Sequence, residues 1–126
     1  MIPWVAIWIA IVAFFFPSAT AEGEGCEHYV HLFQAYDLPV EHGMYICWRE
    51  SRGIQDAVNS EDPNGGSFGL MQINAIHIRD VDARPHLWPN VAGCFVEDTD
   101  DLLVGWKNIC FASQLYAHAG WEPWGG

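Results

Sequence analysis

Apolar positions recur along this chain in short runs with a helical period. Tyr29, Leu32, Phe33 and Tyr36 fall at i, i+3, i+4 and i+7, which predicts a short amphipathic helix ended by Asp37-Leu38-Pro39. Val40, Met44, Cys47 and Trp48 mark a second helix, with Gly53 placed to be its C′ residue. Ala57-Val58-Asn59 and Ser67-Phe68-Gly69 read as two short strands of one hairpin, because residues 60–66 between them are dense in turn formers. Residues 75–93 read as helical turns broken by Pro85 and Pro89. Trp106, Ile109, Cys110 and Ser113 open a last helix that Gly120 ends. The pattern predicts an α+β chain, mainly α, with a small β-hairpin.

The first residues follow a different rule. Ile2 to Phe16 is almost wholly apolar, Pro17 breaks the run, and Ala19-Thr20-Ala21 offers the small residues of a signal-peptidase site. The run is short for a membrane span. Residues 1–21 are therefore read as a signal peptide, and 22–126 as one exported domain. No Lys or Arg precedes the apolar run, so an uncleaved membrane anchor is the alternative. Four cysteines, Cys26, Cys47, Cys94 and Cys110, fit an oxidising, extracytoplasmic setting and two disulfides, with three connectivities open. A four-thiolate metal site is disfavoured by wide spacing and the lack of a C-x-x-C pair. The sequence implies neither cofactor nor metal, and a monomer is expected.

Charge narrows the partners. Sixteen acidic and five basic residues give a net charge of −11, which excludes non-specific binding to nucleic acid. Any anionic partner would be repelled at long range.

Glu50 is the first candidate for chemistry. It stands in the last turn of the second helix and flanks the apolar face near Gly43 and Cys47. Apolar neighbours such as Trp48 and Ile46, and the negative end of the helix dipole, are expected to raise its pKa. A carboxyl kept protonated in this way can give its proton to a glycosidic oxygen. The plainer reading is a surface Glu paired with Arg49 or Arg52.

The run Glu50-Ser51, then Ala57-Val58-Asn59, then Gly66-Ser67-Phe68-Gly69-Leu70-Met71-Gln72-Ile73-Asn74 resembles the lysozyme-like superfamily, which includes animal and goose-type lysozymes and lytic transglycosylases. The tail Gly120-Trp121-Glu122-Pro123-Trp124 is similar to the G-W-x-x-W ending of some actinobacterial and phage members. The resemblance implies a lysozyme-like fold and cleavage of the β-1,4 bond between N-acetylmuramic acid and N-acetylglucosamine in peptidoglycan. It implies Glu50 as general acid, Asn59 near the cleft floor, and Gln72 and Asn74 lining the sugar subsites, with Ser67 and Trp124 as further sugar contacts. Each has a plainer alternative: Asn59 as a turn residue, Gln72 and Asn74 as caps of the following helix, and the tryptophans as core. His77 follows the motif closely enough to border the cleft.

One position departs from the animal-type pattern. Ser67 stands where those enzymes carry a second carboxylate, so a retaining mechanism with two carboxylates is not expected. Two routes remain. Glu50 alone can act as acid and then base, with an anhydro product, or Asp62 can activate water as a loop Asp does in the goose type. Asp62 before Pro63 is equally a turn former. The resemblance also implies the disulfide Cys94–Cys110, close in spacing to a bridge of animal lysozymes, and with it Cys26–Cys47. The acidic run Glu97 to Asp101 reads as a helix-dipole feature, with a Ca²⁺ loop as the lesser alternative. The rival to an enzyme is a weakly active or inactive oligosaccharide-binding domain on the same fold.

Overall fold

The computed structural model describes residues 24–126, so the apolar run and the proposed cleavage site lie outside the described residues. The chain is mainly helical with a small antiparallel sheet. Helices α1 (Glu24–Glu27), α2 (Val30–Ala35) and α3 (Val40–Ser51) come first. Strands β1 (Val58–Asn59), β2 (Ser67–Phe68) and β3 (Ile73–Asn74) follow, then α4 (Ile76–Ala83), two 3₁₀ turns, and a third at Thr99–Leu103. Helix α5 (Gly105–Ala119) and a 3₁₀ turn at Glu122–Trp124 end the chain.

Helix α5 is the axis. Asn108 to Ser113 and Leu115 are all buried, so this helix is covered around most of its girth. Phe33, Leu38 and Ile46 from the N-terminal segment, Leu70, Met71 and Ile73 from the sheet region, and Trp88, Leu102 and Trp124 from the turns join its buried residues in one core. Cys26–Cys47 ties α1 to α3, and Cys94–Cys110 ties the 3₁₀ turn at Val91–Cys94 to α5, the two pairings that the resemblance implies. Two disulfides are at home in an oxidising compartment. Among the described residues no helix is long and apolar enough to cross a membrane.

Helix α3 ends as its sequence predicts. Arg52 is left-handed (φ 57°), its N–H bonds the carbonyls of Cys47 and Trp48, and Gly53 follows at φ 80°. A Cβ at Gly53 would strike the backbone of Gly25 and Cys26, so close packing of α1 also requires glycine there.

The sheet differs from the expected hairpin. It has three strands in the order β1-β2-β3, with Phe68 paired to both Val58 and Ile73, and Ser67 to both Asn59 and Asn74. The third strand forms because the chain reverses tightly at Gly69–Gln72, where Gln72 N–H bonds the Gly69 carbonyl at 3.0 Å and Gln72 itself is left-handed (φ 50°). The resulting alternation buries Ile73 and leaves Asn74 half-buried.

The acidic run folds on itself. Asp98 and Asp101 form a reciprocal capping box at the start of the Thr99–Leu103 turn. Asp101 accepts from the N–H groups of Glu97 and Asp98 and from Lys107 Nζ, and together these hold its carboxyl below the usual range. Among the described residues no cluster of His, Cys, Asp or Glu is arranged to hold a metal ion.

Candidate active site

Glu50 lies at the C-terminal end of α3, with 29% of its side chain exposed. Arg49 Nε and Nη2 both donate to its Oε2, at 3.0 and 2.7 Å, and Arg49 Nη2 also donates to the Trp124 carbonyl at 2.6 Å. The hydrogen bond to Glu50 raises the pKa of Arg49. The expected apolar enclosure of Glu50 is not what forms. Ile46 turns into the core, whereas Trp48 is 40% exposed with the Arg52 guanidinium 4.9 Å over its ring. Positions 48 and 50 lie on different sides of the helix, so the indole cannot cover the carboxyl.

The C-terminal turn that receives Arg49 is itself anchored. Trp124 is buried and its Nε1–H donates to the Met71 carbonyl at 2.7 Å. That burial corrects the expectation of Trp124 as a sugar-stacking surface; its indole joins the tail to the β2–β3 turn. Trp121 is half-buried against His42, Tyr116 and Trp124, with ring centroids 4.5, 4.6 and 5.5 Å away.

The amides implied as sugar contacts are engaged within the protein. Gln72 Nε2 donates to the carbonyls of Ala57 and Gly69, both at 3.1 Å, and so fastens β1 to the turn. Asn74 Nδ2 donates to the Pro63 carbonyl at 2.8 Å and to Ser67 Oγ at 3.3 Å, while its Oδ1 accepts the Ile76 N–H at the start of α4. Ser67 is only 3% exposed, which takes its hydroxyl out of reach of a substrate. Asn59 Oδ1 accepts the Glu61 N–H and its Nδ2 donates to Asp62 Oδ1 at 3.1 Å, an Asx turn that holds the Asp62 carboxyl in place.

The sequence reading missed Asn108. It is fully buried in α5, accepts the Met71 N–H, and donates to the carbonyls of Phe68 and Leu102, each bond 2.9 Å long. Gly69 packs so closely against it that a Cβ would overlap Leu102 and the Asn108 amide, which explains the glycine of the Gly-Leu-Met-Gln run. The one sequence signal was a polar residue inside an apolar helical face. Gln55 was missed too; its Oε1 accepts the first N–H of α5, from Gly105, at 2.7 Å.

His77 borders a groove of about 260 Å³ between α4, the end of α5 and the C-terminal turn. Ile76, Trp88, Leu115 and Pro123 supply its apolar walls, and His118, Asp80 and Arg84 its polar ones. Burial lowers the pKa of His77, as does nearby His118, against the opposing pull of Asp80. Arg84 and the Trp88 indole donate to Asp80 at 2.6 and 2.9 Å and hold that carboxyl below its usual range. Pro123 adjoins Trp124, so one turn separates this groove from the Arg49–Glu50 pair.

No protein-family model, curated protein or solved structure matches this chain. The arrangement offers one accessible carboxyl at a helix end, a second in a solvent-facing turn, and a groove behind the tail, with no buried second carboxylate at the Ser67 position.

Proposed function

We propose that this chain is a lysozyme-like enzyme that cleaves peptidoglycan glycan strands at the β-1,4 bond between N-acetylmuramic acid and N-acetylglucosamine, with Glu50 as general acid. The observation that carries the reading is Glu50 itself. It is a part-exposed carboxyl at the end of α3, the helix that precedes a three-stranded sheet whose β2–β3 turn holds the Gly-Leu-Met-Gln run. A glycoside is a poor leaving group until its oxygen is protonated, and Glu50 has the exposure to reach that oxygen once substrate displaces Arg49 from Oε2 and the freed carboxylate takes up a proton from solvent.

Burial of Ser67 leaves no nucleophile beneath the sugar from that strand. The chemistry therefore runs through Glu50 alone, with the substrate's own C6 hydroxyl as the attacking group, or through water activated by Asp62. Mass spectrometry of digested peptidoglycan tests this: anhydro-muramic ends mark the first route and reducing ends the second. Absence of both products refutes cleavage.

The second reading is an oligosaccharide-binding domain with little or no activity. The observation in its favour is the Arg49–Glu50 ion pair, which occupies the carboxyl in the free protein. Two disulfides and a leader-like first segment support an extracytoplasmic place of action for either reading.

A further inference from the structure

Asn59, Asn64, Asn74, Asn90 and Asn108 are the asparagines of this chain, and only Asn64 precedes a glycine. The fold separates them further. Asn59, Asn74 and Asn108 spend both ends of their amides on hydrogen bonds within the protein. Asn64 and Asn90 are exposed, and neither amide has a hydrogen-bond partner among the described residues. Val91 follows Asn90, and its branched side chain crowds its own amide nitrogen, whereas Gly65 has no side chain. Asn64 is left-handed (φ 66°, ψ 22°) inside the Pro63–Gly65 turn, whose N-cap is Asp62. Arg79 Nη1 comes within 3.8 Å of the point that a Cβ on Gly65 would occupy, so a guanidinium stands beside this peptide unit. Two hydrogen bonds clamp the turn: Asn74 Nδ2 donates to the Pro63 carbonyl at 2.8 Å, and the Ala75 N–H donates to the Gly66 carbonyl at 3.0 Å.

From this arrangement we propose that Asn64 is a site of spontaneous modification, deamidation through a cyclic imide, which lengthens the turn beside Asp62. The Gly65 amide nitrogen gives its proton to hydroxide and attacks Asn64 Cγ. A new N–C bond closes a succinimide ring, and the bond from Cγ to the side-chain nitrogen breaks. That nitrogen leaves as ammonia with a proton from water. The attack is intramolecular, so no second molecule has to be brought to the reacting carbon. Water then adds to one of the two ring carbonyls and opens the ring. Opening at the former side-chain carbonyl gives Asp; opening at the main-chain carbonyl gives isoaspartate, with one more methylene in the main chain. No oxidant or reductant enters. The missing Cβ at Gly65 leaves the approach clear, and the Arg79 guanidinium favours negative charge on the attacking nitrogen and on the oxygen of the tetrahedral adduct. Either product adds a carboxylate close in sequence to Glu61 and Asp62, on a chain whose net charge is already −11. Isoaspartate also lengthens the backbone between the Pro63 and Gly66 carbonyls, which Asn74 and Ala75 hold in place. The modification stands independently of the glycan-cleaving reading; only its effect on cleavage through Asp62 rests on that reading.

The test is peptide mapping of the purified, disulfide-bonded protein after storage in heavy-oxygen water at mildly alkaline pH, with Asn90 as the internal comparison. Asn64 is expected to become a mixture of isoaspartate and Asp, each carrying one heavy oxygen, at a rate that rises in proportion to hydroxide. Conversion should run at least about tenfold ahead of Asn90, a barrier difference of about 1.4 kcal/mol. Asn64→Gly, which suits φ 66°, should leave this peptide without new acid. Arg79→Gln should slow conversion at Asn64 and leave Asn90 unchanged. The isolated isoaspartate form should melt below the unmodified protein, whereas Asn64→Asp, with the charge but not the added methylene, should melt close to it. An Asn64 that keeps its amide in the folded protein while the reduced, denatured chain converts overturns the proposal. So does a product that is Asp alone, which marks direct hydrolysis, and so does conversion of Asn90 at the same rate. Cleavage is read separately: full release of muramic products by the isoaspartate form counts against Asp62 as the water-activating group and leaves the modification standing.

Discussion

Asn108 bonds three backbone groups from two other segments of the chain. Replacing it with Ala would strand the Met71 N–H and the carbonyls of Phe68 and Leu102 in the core. An unsatisfied buried group costs about 1–3 kcal/mol, so Asn108→Ala should lose at least about 3 kcal/mol, read from denaturant unfolding. Ser67→Ala removes one 3.3 Å contact with Asn74 and should cost about 1 kcal/mol or less, with no effect on any glycan cleavage because the hydroxyl is buried. These two residues show what the sequence could and could not convey. Gly69 and Gln72 stood out as a motif, yet their work in the fold is to pack against Asn108 and to fasten β1, and only the partner 37 positions from Met71 reveals it. Trp124 was legible as an aromatic at the tail; its hydrogen bond to Met71, and therefore its burial, was not.

At the scale of elements, local pattern was the reliable guide. The helical periods of residues 29–36, 40–48 and 106–113 fall on α2, α3 and α5, and the breakers at Pro39, Gly53 and Gly120 lie at the ends of these helices. Helix α1 and strand β3 were not foreseen, because each is set by tertiary partners: α1 by Cys47 and Gly53, β3 by pairing with β2. Helix α4 is stitched to the turn after it by Asp80, which accepts from Arg84 and Trp88. Its carboxyl is depressed, so the stabilisation is present above the ordinary carboxylate pKa and is lost as pH falls through the lower folded value. Asp80→Asn should therefore lower the melting temperature at pH 7 and have progressively less effect in acid below about pH 4; a constant difference across that range would refute the linkage. His77 acts in the same direction in a higher window. Its folded pKa is lowered, so protonation costs stability as pH falls from the ordinary imidazole range, about 6.5, through the folded value. The bridge Cys94–Cys110 closes a loop with a sequence separation of 16. Its double Cys→Ala variant should lose about 3 kcal/mol in equilibrium unfolding.

For the molecule as a whole, a charge of −11 sets the approach to any anionic polymer. Repulsion between like charges is screened by salt, with a Debye length of about 10 Å at 0.1 M. The initial rate of adsorption to isolated cell walls should rise with added salt at neutral pH; a steady fall from low ionic strength would show that attraction governs encounter. One small core, tied by two disulfides, carries both the Glu50 end of α3 and the groove beside His77, with the C-terminal turn between them.

We propose that Glu50 transfers the proton that breaks the glycan, which peptidoglycan cleavage by Glu50→Gln beside the unsubstituted protein tests. The substitution keeps the shape of the side chain and removes the transferable proton. General acid catalysis is typically worth about 10²–10⁴-fold, so cleavage should fall by at least that factor while adsorption to the polymer persists. Asp62→Asn in the same assay should cost nearly as much if water is the attacking group, and little if the substrate hydroxyl attacks. A verified Glu50→Gln protein that releases muramic products at close to the original rate would show that Glu50 is not the general acid.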